Sequence, residues 1–281
     1  MSPRSALRAW LRPVIDHAAR RYVAGPRSAD AVDRCVALAR GGIRSTIGYW
    51  SDAGELSRRV VDGYLAAADL LARARLDCYL SVKAPAMGFQ ERMIRAVAER
   101  CRLHGLGLHF DSLGPDVADR TLGLIARVRA DVSPLGCTLP GRWQRSLRDA
   151  EVAIRLGLRV RVVKGEWEAG ENDAPMDPSD GLLAIVERVA GRVPHVAVAT
   201  HDWRLARRAL HHLRGASTSA SVEVLLGMPA TRVLAVARAF GVPARVYVPW
   251  GQSRLPYRLT RVPAQPRIAW QFLRDLTPYG A

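Results

Sequence analysis

Lys83, Asp111, Arg161, Lys164, Thr200, His201, Tyr257 and Arg261 are the side chains of this sequence best placed to do chemistry together. The first six fall within short strand-like runs at 79–83, 108–111, 159–165 and 196–201, and a fifth run covers 245–249. A buried parallel strand reads as a near-continuous apolar run, and in a closed eight-stranded α/β barrel the functional side chains gather at the C-terminal strand ends. Five runs ending on one rim form an active-site pattern.

Such a rim is rich in cations and suits a negative ligand: a phosphate, a carboxylate or a reduced flavin ring. Structural roles account for the same residues one at a time. Lys83 and Asp111 can simply pair across neighbouring strands, and Thr200 with His201 can cap a helix opening at Asp202. His201 also has the ordinary titration range of a general base. No Cys or Ser nucleophile pattern, H-E-x-x-H, Walker loop or paired-carboxylate metal spacing accompanies it, which argues against hydrolytic triad chemistry and against a metal.

The elements that must position these residues alternate regularly. Strands are expected near 43–48, 79–83, 107–111, 136–139, 159–164, 196–200, 220–225 and 245–249. Helical spacing covers about 55–75, 90–104, 115–129, 145–156, 178–190, 203–213, 229–240 and 257 onward. Gly105, Gly157, Gly191 and Gly241 stand where helix C-caps belong, each just before the next strand. Eight strand–helix units with no G-x-G-x-x-G predict an α/β fold, a (β/α)8 barrel rather than an open doubly wound sheet. Two helices precede it, the second over 29–40. The expected organisation is therefore an N-terminal helical extension over 1–40 and a flavin-binding barrel over 41–281. The polar loop at 165–179 follows the fifth strand and is a candidate lid.

A chain of 281 residues matches one such barrel. Its 42 Lys plus Arg against 26 Asp plus Glu give a formal charge of +16, but the cations are mostly arginines spread over every expected helix. Without a basic run or a basic–aromatic module, a solvated Arg-rich surface is favoured over nucleic-acid binding. Cys35, Cys78, Cys101 and Cys137 are far apart and read as small buried hydrophobes in a reducing, cytoplasmic compartment. No apolar stretch reaches the ~18 residues needed to cross a bilayer. The opening helix is amphipathic and basic, with Leu7, Trp10, Leu11, Val14, Ile15, Ala18 and Tyr22 on one face. Docking on the protein's own core is favoured for it over a peripheral membrane contact.

Taken in order, these segments resemble the FAD-dependent proline dehydrogenase family. The resemblance runs through 20–25, Gly41-Gly42-Ile43, Leu80-Ser81-Val82-Lys83, Asp111, Arg161-Val162-Val163-Lys164-Gly165 and Ala199-Thr200-His201-Asp202. It continues in Leu226-Gly227-Met228, in 245–251, in Pro256-Tyr257 and in Arg261. It implies that Arg161, Val163, Lys164, Gly165, Trp167, Thr200 and His201 hold FAD. It also implies that Lys83, Tyr257 and Arg261 face the substrate while Asp111 orients the cations, and that hydride passes from carbon to flavin. Fixed cations beside a ring that gains negative charge favour that transfer.

The departures from the family bear on the substrate. Thr260-Arg261 stands where two adjacent arginines clamp the substrate carboxylate, and Pro263-Ala264 where a glutamate follows. Losing one charge-assisted contact is worth roughly 1.5–3 kcal/mol, or about 10- to 100-fold in affinity. Pro140-Gly141-Arg142 replaces Gln-Ala-Tyr, Gly48 replaces an aspartate, and Glu223 and Glu166 introduce acid where neutral residues are usual. Arg142 is a candidate substitute for the missing guanidinium. The expected function is oxidation of a C–N or related N-containing bond of L-proline or a similar small amine, with a quinone or oxygen as electron acceptor. The alternatives are a biosynthetic flavoenzyme acting on a non-proline amine or hydrazine-like acid, and a catalytically retired barrel that serves as a binding protein.

Overall fold

The computed structural model describes residues 21–251 apart from 53 and 172. Residues 1–20 of the expected opening helix, the helix expected from 257 onward, and with it Tyr257, Thr260 and Arg261, lie outside the described residues. Eight parallel strands close in sequence order. They are β1 (Arg44–Trp50), β2 (Cys78–Val82), β3 (Gly107–Phe110), β4 (Leu135–Pro140), β5 (Arg159–Val163), β6 (Val196–Ala199), β7 (Ala220–Leu225) and β8 (Ala244–Gly251). Register is continuous around the ring, and β1 and β8 pair from Arg44 opposite Arg245 to Trp50 opposite Gly251. The expected (β/α)8 barrel is what the chain forms.

Eight helices surround the strands among the described residues: α1 (Ser28–Arg40), α2 (Ser57–Ala74), α3 (Glu91–Leu103), α4 (Ala118–Val128), α5 (Ser146–Arg155), α6 (Pro178–Val189), α7 (Trp203–Gly215) and α8 (Thr231–Phe240). Helix ends follow local chemistry. Asp177 accepts from the Ser179 and Asp180 amides at the start of α6, and Asp202 from the Arg204 and Leu205 amides at the start of α7. Gly105, Gly157, Gly191 and Gly241 all take positive φ as chain passes from helix to strand. Helix α1 packs on α2, β1 and β8, so Ala31, Val32 and Cys35 share the barrel's core.

Strand side chains alternate between two very different environments. Leu80, Val82, Leu108, Phe110, Val160, Val162, Val222, Val224, Val246 and Val248 are buried in the apolar layer shared with the helices. Their neighbours in sequence, Tyr79, Ser81, His109, Arg161, Glu223 and Arg245, are also buried but contact one another across the barrel. The lumen is therefore polar where the common barrel interior is filled by branched apolar residues. All four cysteines are free and buried, as expected.

Candidate active site

The chain has only two lysines among its 42 cations, and both stand at the C-terminal rim. Lys83, just past β2, donates to the Tyr49 carbonyl at 3.0 Å and lies 3.4 Å from Asp111 Oδ2. Burial pushes its ammonium below the ordinary lysine value, against the pull of Asp111. Lys164, just past β5, is 3.4 Å from Asp202 Oδ2.

Asp111 is the hub. Its Oδ1 accepts from the Ser81 hydroxyl at 2.6 Å and from Arg161 Nη1 at 2.7 Å; its Oδ2 accepts from the Tyr247 hydroxyl at 2.8 Å. Burial alone would raise its pKa, but Lys83, Arg161 and the two hydroxyls outweigh burial and hold the carboxyl below its usual range. Arg161 spans the lumen from Asp111 to Glu223, whose Oε1 is 3.0 Å from Nη2. The Tyr79 hydroxyl donates to Glu223 Oε2 at 2.7 Å. Two carboxylates thus flank one buried guanidinium. Its Nε is nevertheless a buried donor with no acceptor among the described residues.

Around this floor the rim is built mostly by the β4 and β5 loops. Trp167 is 51% exposed although its carbonyl accepts from Trp143 Nε1 at 2.9 Å. Gly165 has φ of 93°, and a Cβ there would meet Pro140 Cβ at 2.8 Å, so only glycine lets the two loops approach. The segment after β5 is fastened down: Gln144 donates to the Ala174 carbonyl, Met176 to the Arg142 carbonyl, and the Arg145 amide to Asp173 Oδ1. A lid movement of 165–179 would have to break these bonds.

Three residues singled out from sequence have structural work to do. Both ring nitrogens of His201 are occupied by backbone: Nε2 lies 3.0 Å from the Leu225 amide and Nδ1 3.0 Å from the Pro229 carbonyl. An amide donor at Nε2 and a carbonyl acceptor at Nδ1 give both ring nitrogens a structural role that competes with the general-base reading. Thr200 Oγ1 accepts from the Asp202 amide at 3.1 Å, the local capping role that the sequence also allowed. Arg142 is 3.0 Å from Glu168 Oε2 and 3.4 Å from the Gly165 carbonyl, so its guanidinium serves the β5 loop.

No family model matches the chain. Proline dehydrogenase 1 of Bacillus subtilis subsp. natto is 24% identical over 275 residues, covering 92% of this chain and 90% of that protein. Proline dehydrogenase 1 of Bacillus subtilis strain 168 is 23% identical over the same coverage. The chain is thus similar to two proline dehydrogenases over nearly its whole length. Solved structures agree at the level of the fold. A proline utilization A from Bdellovibrio bacteriovorus, inactivated by N-propargylglycine, superposes with a TM-score of 0.75 at 14% identity over 96% of this chain. One from Bradyrhizobium japonicum gives 0.69 at 16% identity over 92%. The chain spans about a third of the length of those two solved proteins, at 34% and 31%.

In this chain the residues brought together are Lys83, Asp111 and Arg161, joined by Ser81, Tyr79, Glu223 and Tyr247. Ser81, Tyr79 and Tyr247 were not singled out from sequence. The available signal was spacing: Tyr79, Ser81 and Lys83 alternate along one face, as do Arg245 and Tyr247. The rarity of lysine was a second signal.

Proposed function

We propose that this chain is an FAD-dependent oxidoreductase of proline dehydrogenase type that takes hydride from a carbon beside nitrogen in a small amine or amino acid. The observation carrying this reading is the Lys83–Asp111–Arg161 cluster at the strand ends of a barrel whose relatives, over 92% of the chain, are proline dehydrogenases.

The residues present fit the cofactor. Among the described residues a buried Arg161 Nε donor lacks an acceptor and Lys164 meets the Asp202 carboxylate at 3.4 Å, and the half-exposed Trp167 indole offers an apolar face to a planar ring. Arg161, Val163, Lys164, Gly165 and Trp167 would hold the group, with Thr200 and His201 shaping the adjoining wall. When bound, FAD supplies a two-electron acceptor. The chain's own contribution is electrostatic. With FAD bound, Lys83 and Arg161 would stabilise negative charge developing on the ring, and Asp111 holds both cations in place. The same cations disfavour a second positive charge nearby, so an amine held beside Lys83 keeps its lone pair free. Tyr257 and Arg261 would complete the substrate wall. Thr260, where a clamp arginine is usual, makes substrates other than L-proline worth equal trial. A quinone or oxygen would then reoxidise the flavin.

Purified protein reconstituted with FAD should be yellow and should bleach anaerobically on addition of L-proline or a member of a panel of cyclic and secondary amines. Failure to retain flavin after reconstitution would sink the reading. Retention without bleaching by any amine would favour a binding protein instead.

A further inference from the structure

A second group of charged side chains lies at the opposite end of the barrel. A cavity of about 340 Å³ opens at the N-terminal strand ends, within the range of small-molecule pockets, and its wall includes Arg75, Asp77, Tyr79, His104, Arg159 and Arg245. Among the described residues Asp77 is its one carboxylate, and that group is already bound by Arg245 at 2.8 Å and by Arg44 at 3.1 Å. Arg159 has no carboxylate within ion-pair distance among the described residues; its guanidinium lies 4.9 Å from the centre of the Tyr79 ring, which Arg245 also approaches at 4.6 Å. Arg75 occupies a left-handed helix-cap position, φ 51°, where glycine is the usual residue.

Among the described residues the arginines of this mouth outnumber its carboxylates. Burial first, and then Arg159, Arg245 and Arg44, push the His195 imidazole beside this end down to about 4, so the histidine itself avoids adding charge. Half-buried arginines are normally paired with carboxylate or phosphate, whose planar or tetrahedral oxygens match the guanidinium fork.

We infer that the N-terminal mouth of the barrel binds a small oxyanion-bearing molecule with at least two negative charges, held by Arg159 and Arg245 with Arg75 at the entrance. This inference does not rest on the flavin reading, because the cavity lies at the other end of the strands from Lys83 and Lys164.

Equilibrium binding and thermal stabilisation by inorganic pyrophosphate and by citrate, each against chloride at matched ionic strength, would test it on the full chain. Saturable binding is expected for at least one anion, and the tighter of the two identifies phosphate or carboxylate chemistry. Arg159→Gln should weaken it about 10- to 100-fold, while Lys164→Ala at the opposite rim should leave it unchanged. Arg75→Gln, an exposed position tolerant of change, should weaken it about tenfold and serves if Arg159→Gln does not fold. No saturable binding of either anion, or binding indifferent to both arginine variants, would overturn the inference. So would loss of binding in Lys164→Ala.

Discussion

The Tyr247 hydroxyl occupies the space that a side chain at Gly48 would need. A Cβ built on Gly48 would overlap Tyr247 Oη and lie 2.6 Å from Cζ. Glycine on β1 therefore allows the β8 tyrosine to reach Asp111 at 2.8 Å. Gly48→Ala should displace the ring and cost about 1–3 kcal/mol by overpacking. In a double-mutant cycle read by urea denaturation, Tyr247→Phe should not relieve the clash with Cζ fully, whereas Tyr247→Ala should. Additive effects of Gly48→Ala and Tyr247→Ala would show that the two positions are independent.

Arg161 and Glu223 make the second test. Removing the guanidinium with Arg161→Met leaves Asp111 and Glu223 as buried carboxylates without their shared partner, a loss expected to cost about 3–5 kcal/mol. Glu223→Gln keeps an acceptor for the Tyr79 hydroxyl and leaves Arg161 with Asp111, so it should cost less than half as much. Equal destabilisation in both variants would show that the arginine does not bridge them.

The barrel was legible because two periodicities agree. Val160, Val162, Val222 and Val224 mark the outward faces of their strands, and glycines close the helices before them. Lys83, Asp111 and Arg161 were legible because charged groups at strand ends are costly unless used. The polar lumen was not legible, because runs such as Arg159-Val160-Arg161-Val162 alternate where a buried parallel strand is expected to be continuously apolar. The backbone contacts of His201 were not legible for a different reason. Its partners, Leu225 and Pro229, are backbone groups 24 and 28 residues away that carry no side-chain signature.

His201 ties the end of β6 to the turn after β7, and this leads to a result opposite to that of a catalytic base. His201→Asn should lose one or both backbone bonds and destabilise the fold by about 1–3 kcal/mol. The pH profile of flavin reduction should keep its shape around neutrality. Disappearance of a titration near pH 6–7 in the variant would restore the general-base role.

His195 predicts how stability depends on acid. It is held at about 4 in the fold against 6.5 as its ordinary value, first by burial and then by Arg159, Arg245 and Arg44. Between those two values the unfolded chain binds a proton that the folded chain does not, so stability falls as pH drops from 6.5 towards 4. Below 4 both states are protonated and this contribution is spent. Allowing for partial exposure of the ring, the loss should be about 1–3 kcal/mol. Urea midpoints from pH 7 to pH 4 should therefore fall more steeply for the wild type than for His195→Gln, whose amide can still meet the Ser219 or Ser221 hydroxyl now 2.9 Å from the ring. Parallel curves for the two proteins would mean that the arginines at this end of the barrel do not keep His195 neutral.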